Sequence, residues 1–282
     1  MSLSIERHAD ASAFLTRALA WLMRAEAEHN LVLGLAYALV QGRANAGQAV
    51  YLATVQDGPD VAGCVFRTPP YKMGLTRMPM DAIPALVTDV AGVYDTLPAV
   101  LGPAAETQAF AEAWARQRGV HAEPGIRQRI YQLERVVPPT RVAPGHFQLA
   151  QRRHVELVAG WIRAFAKEAH MEEIRAEQIA ADRIAAKMMF LWVDPEPVAL
   201  AGWSGRSPNG IRIGPVYTPP ESRGHGYASA LVAAASQRAL SSGAGLCFLY
   251  TDLDNRTSNA IYQRLGYETV CDVLDWVFAS SG

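Results

Sequence analysis

The sequence predicts an α/β protein of two consecutive units, each a mixed sheet with helices, and three observations carry that reading. One pattern occurs twice: residues 55–66, VQDGPDVAGCVF, and residues 192–203, WVDPEPVALAGW, each read as strand, Asp/Pro turn and apolar strand containing Ala and Gly. Two helical segments precede this hairpin in both halves, and an extended segment ends each half. Pro138-Pro139 and Pro144-Gly145 form the best linker in the chain. A chain of 282 residues can hold two domains of ordinary size. They are expected at 1–140 and 145–282, the arrangement an ancient duplication produces.

In order, apolar spacing predicts helices over roughly Ala11–Glu28 and Leu31–Gln41. The runs Ala49–Val55 and Val61–Phe66 flank the turn DGPD, and an extended segment, Tyr71–Met78, follows. Helices are expected near Asp81–Val93 and Ala104–Arg118, the second opened by Gly102-Pro103, and a strand over Gln128–Val136. After the linker come a short strand, Phe147–Ala150, and helices over about Val155–Ala169 and Glu172–Met189. Phe190–Val193 and Val198–Trp203 then form the second hairpin. Leu246–Thr251 reads as a buried strand, a short helix begins at Asn255 or Thr257, and Glu268–Phe278 is extended.

The stretch Ile211–Leu231, IRIGPVYTPPESRGHGYASAL, carries the chemistry. A β-prone run stops at Pro219-Pro220, where neither nitrogen can donate to a ladder. Gly224 and Gly226 follow, and then apolar residues recur at helical spacing from Ala228. A helix start exposes unpaired N–H groups with partial positive charge, and glycines let an anion approach the backbone. Arg223 adds a fixed charge suited to phosphate. The stretch is therefore read as a pyrophosphate cradle. It is not a Walker loop, because Tyr227 follows Gly226, and it lacks the third glycine of a dinucleotide fingerprint at Ser229. The first half has MPMDAIP at the corresponding place, with neither glycine nor a basic loop.

Net charge is −1, which shows no footprint for nucleic acid. The longest apolar run, Leu31–Val40, is about half a bilayer span, so no membrane association is expected. MSLSIERHADASAF has no basic region leading into an apolar core, so no signal peptide is expected. Cys64, Cys247 and Cys271 have neither metal spacing nor an even count, which suits a reducing cytoplasm.

Two motifs stand about 30 residues apart with a strand between them. Arg223, Gly226 and Ala228 match Arg/Gln-x-x-Gly-x-Gly/Ala; Asn255, Ser258, Asn259 and Tyr262 match Asn-x-x-Ser-Asn-x-x-Tyr. Here the chain resembles the GNAT superfamily of acyl-coenzyme A-dependent N-acetyltransferases. The resemblance is strong over about Val198–Val277, weaker over Phe147–Met189 and architectural over the first 140 residues. It implies two GNAT-like domains in tandem, the first degenerate and without a cofactor site, and acetyl-coenzyme A (acetyl-CoA) as cofactor. Pantetheine would lie against the backbone of Val216, Tyr217 and Thr218. Arg223 and the loop Gly224, His225, Gly226, Tyr227, Ala228 and Ser229 would hold the pyrophosphate. Asn255, Ser258 and Asn259 fall on the cofactor side of the second motif.

The implied reaction is direct attack of a primary amine on the thioester, the amine being a small molecule or a peptide. Tyr262, with an ordinary phenol pKa near ~10, would protonate the departing thiolate, and the Val216 N–H would face the oxyanion. Ile211–Thr218 has no acidic residue, so the base is left open among Glu168, Glu172, Glu173 (with His170 beside them) and a water; Glu221 reads as a loop residue. Cys247 sits in an apolar run and is not expected to act as a nucleophile. Monomer and homodimer are both compatible. A second class stays open beside the enzyme: a non-catalytic acyl-coenzyme A sensor or partner-binding module.

Overall fold

The computed structural model describes residues 3–42, 50–169 and 175–279. They divide into two compact units. One comprises Met1–Ile130, Thr251–Asp254 and Val270–Gly282; the other comprises Tyr131–Tyr250 and Asn255–Thr269.

The first unit runs β1 (Leu3–Arg7), α1 (Ala11–Leu22), α2 (Asn30–Val40), β2 (Tyr51–Asp57), β3 (Asp60–Arg67), β4 (Met73–Leu75), α3 (Ile83–Ala91), β5 (Ala99–Gly102) and α4 (Ala104–Arg118), and β6 (His121–Leu133) leaves it. Asp10 caps α1, its carboxylate accepting the Ala13 N–H at 2.8 Å, and Gly119 ends α4 in the left-handed region. The helix expected to reach Glu28 stops at Leu22 and continues only as one tighter turn, Met23–Ala25. Leu3 and Ile5 alternate with polar residues in β1, and β5, four residues long, is too short to show a period.

The second unit repeats the order: β7 (His146–Leu149), α5 (Val155–Glu168), α6 (Ala176–Ala185), β8 (Met189–Val193), β9 (Pro197–Arg206), β10 (Gly210–Tyr217), α7 (Tyr227–Ser241), β11 (Leu246–Asp252) and α8 (Arg256–Arg264). Pairing repeats as well. In each unit three antiparallel contacts (β1/β2, β2/β3, β3/β4; β7/β8, β8/β9, β9/β10) are followed by one parallel contact, β4/β5 or β10/β11. The α/β class and the tandem of two like units hold.

Each sheet has an apolar core on both faces. In the first unit, Phe14, Leu22 and Leu33 pack on one face, and Leu86, Phe110 and Trp114 on the other. In the second, Val158, Ile162 and Ala180 of α5 and α6 cover one face; Leu231, Val232 and Ala235 of α7 cover the other.

A single cut between 140 and 145 does not describe these units, because β6 passes from the first into the second at Tyr131 and the chain's last strand returns to the first. The final strand, β12 (Glu268–Ala279), pairs antiparallel with β5, Trp276 opposite Val100, and its Trp276 and Phe278 pack against the first unit's core. Tyr131 and Leu133, at the end of β6, pack in the second unit's core with Ile211 and Cys247. Strand edges need partners and apolar residues need a core. Either closing strand can meet both needs in either unit, so the pattern along the chain is blind to which unit it joins.

Candidate functional site

The site is built around β10. Its Gly210, Ile211 and Arg212 pair in parallel with Leu246, Cys247 and Phe248 of β11, and the pairing ends there. Against β9 the strand continues to Tyr217, with register shifts between Arg212 and Ile213 and between Ile213 and Val216. Gly214-Pro215 lies in the second irregularity; Gly214 has φ +150° and Pro215 has no N–H. Bulges bend the strand that carries them. β10 thus leaves β11 while holding β9, and the strands fork beside Val216, Tyr217 and Thr218.

Beyond the fork, Pro220–Ser222 makes one tight turn, and Gly224 and Gly226 adopt φ +82° and +86°. Side chains are strained in that region, which accounts for both glycines. Crowding does not: a Cβ on Gly224 meets nothing within 4 Å, and one on Gly226 meets only Ala143, at 3.8 Å. Gly226 precedes α7 and no side chain caps the helix. The first internal bond is Ala230 N–H to the Gly226 carbonyl, leaving the amides of Tyr227, Ala228 and Ser229 without a helical partner. Uncapped donors, positive helix dipole and open space together suit an anion.

Around this loop, the Tyr227 hydroxyl donates to Asp194 at 2.6 Å, the exposed His225 ring stacks on Tyr227 at 5.5 Å, and Arg141 reaches the Gly224 carbonyl at 3.5 Å. Arg223 does not point into the loop. Its Nε donates to the Thr218 carbonyl at 2.9 Å, and Nη2 meets both Glu168 oxygens, at 2.7 and 2.9 Å. Tyr217 turns toward α5, with Trp161 at 6.4 Å, and burial raises its phenol pKa. The Thr218 hydroxyl is buried without a partner among the described residues.

On α8, Asn255 caps the helix by accepting the Ser258 N–H at 3.0 Å. Asn259 donates to the Asn255 carbonyl at 2.8 Å and accepts from the Tyr131 hydroxyl at 3.0 Å. Tyr262 lies among Tyr131, Tyr267, Ile211 and Cys247, with ring centroids 6.3 and 5.9 Å from Tyr131 and Tyr267. Burial pushes its phenol up to about 12, opposed by a hydrogen bond with Ser258. Burial likewise pushes the Cys247 thiol up to about 12.

With fork and cradle in place, residues 155–267 match the family model described as the Acetyltransferase (GNAT) family. These residues are similar to a GNAT acetyltransferase domain. Solved structures extend the likeness to the whole chain at the level of fold. A GNAT-family acetyltransferase from Colwellia psychrerythraea is 12% identical, with 98% of this chain and 99% of that one covered at a TM-score of 0.59. A GCN5-related N-acetyltransferase from Sphaerobacter thermophilus is 16% identical, with 99% and 96% covered and a TM-score of 0.61. A tandem GNAT protein from the clavulanic acid biosynthesis pathway is 13% identical, with 100% and 99% covered and a TM-score of 0.53. No curated protein matches the sequence.

Within residues 155–267, the structure brings Val216, Tyr217, Thr218 and the loop 224–229 to the open side of the fork, but gives several side chains other work. Arg223 is tied to Glu168, which engages one of the proposed bases. Asn255 and Asn259 build and dock α8. The Tyr262 phenol is not at an ordinary pKa: its surroundings are apolar, which no spacing reveals. Glu221 is exposed in the turn before the loop, and His170, Glu172 and Glu173 lie outside the described residues. The first unit has no such opening after β4: the turn Met80–Ala82 runs straight into α3. Among the described residues no group of side chains could hold a metal ion, and no helix is long and apolar enough to cross a membrane.

One residue escaped the sequence reading. Arg212 stands between Ile211 and Ile213 at the base of the fork, and a lone charge in an apolar strand was the signal available.

Proposed function

We propose that the GNAT domain transfers an acetyl group from acetyl-CoA to a primary amine by direct attack. The observation that carries this reading is the pairing of a forked strand with an uncapped helix start behind two left-handed glycines. The fork leaves the β11-side edge of Val216–Thr218 for the pantetheine arm, and the amides of 224–229 suit its pyrophosphate. Acetyl-CoA supplies the activated acyl group; this chain's residues position it and stabilise developing charge.

The Val216 N–H is the candidate donor to the oxyanion. Tyr262 holds a proton throughout the neutral range and is assigned to the departing sulfur. Direct attack is favoured over an acyl-enzyme because Cys247 is buried and its thiol holds its proton. Glu168 serves Arg223, which leaves proton removal to Glu172, Glu173, a water or an amine that binds neutral. The first unit, lacking a cradle, is assigned a structural role.

Coenzyme A at saturation is expected to raise the melting temperature, and acetyl-CoA to release free thiol with an amine from a broad panel. No melting shift refutes the cofactor site. A shift without turnover on any amine returns the protein to the sensor class.

A further inference from the structure

The pyrophosphate of coenzyme A is anionic, yet the loop assigned to it brings no cation of its own. Residues 224–229 include neither Lys nor Arg. Arg223, just before them, is committed elsewhere. Its Nε donates to the Thr218 carbonyl at 2.9 Å, Nη2 bonds both Glu168 oxygens, and the guanidinium lies 6.0 Å from the centre of the Tyr217 ring. A cation arrives instead from residues 138–145, between β6 and β7. Ala143 packs with Tyr227, Ala230 and Leu231 at the start of α7, and stands 3.8 Å from where a Cβ on Gly226 would be. The Trp192 indole donates to the Pro144 carbonyl at 2.6 Å. These contacts fix the stretch against the glycine loop. From it the Arg141 Nη1 reaches the Gly224 carbonyl at 3.5 Å, the outer limit of a hydrogen bond. Arg141 is exposed and has no second partner among the described residues, so its other N–H groups are open to a ligand. Gly224 beside it has free space where a Cβ would be.

We propose that Arg141 is the cation of the cofactor site: its guanidinium turns from the Gly224 carbonyl to the coenzyme A pyrophosphate and holds it against the loop amides. This rests on the reading of the loop as a pyrophosphate cradle. A long contact to a neutral carbonyl is exchanged for charge-assisted bonds, each roughly twice as strong as a neutral one, and the planar fork can meet two phosphate oxygens. Arg141 touches no reacting atom in this scheme. Its effect is on binding, and equal in the ground state and the transition state.

The test uses the full chain and calorimetric titration with coenzyme A, dephospho-coenzyme A, pantetheine and inorganic pyrophosphate. Arg141→Met is expected to weaken coenzyme A and dephospho-coenzyme A alike, about tenfold, and to leave pantetheine unchanged. Arg141→Lys should keep part of the binding. Because the side chain is exposed, the unliganded melting temperature should hold. In turnover, KM for acetyl-CoA should rise about tenfold while kcat holds, as for a contact that binds both states equally. Arg223→Met should weaken coenzyme A less than Arg141→Met does. Three outcomes overturn the proposal: coenzyme A binding unchanged in Arg141→Met, a loss that pantetheine shares, or a loss that spares dephospho-coenzyme A and so belongs to the 3′-phosphate. A wild type that binds no coenzyme A instead strikes the cradle reading. Inorganic pyrophosphate then tests Arg141 by itself: binding that Arg141→Met abolishes keeps it as an anion ligand, and binding that survives, or none in the wild type, removes it.

Discussion

Tyr262→Phe removes one hydroxyl and keeps the ring, so it separates chemistry from packing. The packing part is small: one buried hydrogen bond with Ser258 is lost, about 0.5–1.5 kcal/mol. At roughly 2–4 °C per kcal/mol in a chain of this size, the melting temperature should fall by a few degrees at most. The catalytic part follows from the pKa of about 12. Against an ordinary thiol near ~8.5, complete proton transfer from this phenol is about 4–5 kcal/mol uphill in the ground state. Tyr262 is therefore expected to donate a hydrogen bond to the developing thiolate and release its proton late. That puts its worth near the low end of the usual range for a positioned acid, about 10² in kcat. KM for acetyl-CoA should move far less, as for an interaction made only in the transition state. The deficit should also stay constant from about pH 6 to pH 9, since even at pH 9 only about one phenol in a thousand is ionised. The assay is steady-state thiol release on one purified variant, with its melting curve. A variant that keeps more than about a third of wild-type kcat takes Tyr262 out of the mechanism.

The same phenol links stability to alkaline pH: its folded pKa lies above the ordinary value of ~10, so its contribution is full below pH ~10 and is lost as pH rises through about 12. Tyr262→Phe should lose less stability than wild type across that window in urea titrations, and parallel curves would refute the linkage. Glu168→Gln breaks a half-exposed pair and should cost under about 1 kcal/mol while freeing Arg223 for phosphate; coenzyme A that binds no tighter means that Arg223 does not use it. In the first unit, Lys72 pairs with Asp275 of β12, which is 3% exposed. Lys72→Met strands a buried carboxylate and should cost about 3 kcal/mol, much of it recovered by adding Asp275→Leu; a neutral single variant would show that the pair does not anchor β12. Calorimetric titration should return one coenzyme A per chain, and two would give the first unit a site it was denied.

Both hairpins, the order of helices and the strand–glycine loop–helix at 211–231 were legible because each rests on local chemistry: alternation, Asp/Pro turns, and glycines where φ is positive. What was not legible rests on partners distant in sequence. Nothing in Glu268–Phe278 says that Trp276 and Phe278 enter the first unit's core, since an apolar strand suits either. Arg223 carried a charge suited to phosphate, but its orientation depends on Glu168, 55 positions away. The Tyr262 pKa depends on Tyr131 and Tyr267 closing over it, a packing fact with no counterpart in motif spacing.

The repeat itself shows where function resides in this architecture. Both units contain the same parallel contact, β4/β5 or β10/β11, followed by a helix, so sheet topology alone makes neither an acyltransferase. The difference is a few residues between strand and helix. After β10, two irregularities and Pro215 bend the strand off β11, and two left-handed glycines carry the chain to an uncapped helix. After β4, the chain passes through Met78-Pro79-Met80 into α3, which has Pro84 in its first turn and Leu86 and Val87 packed in the core. The first path presents bare amides to an anion; the second spends the same stretch on apolar burial. Grafting residues 219–226 after β4 would therefore not create a second site, because β4 lacks the fork that holds the other end of the ligand. A first unit that gained coenzyme A affinity from that graft alone would show that the loop suffices without the forked strand.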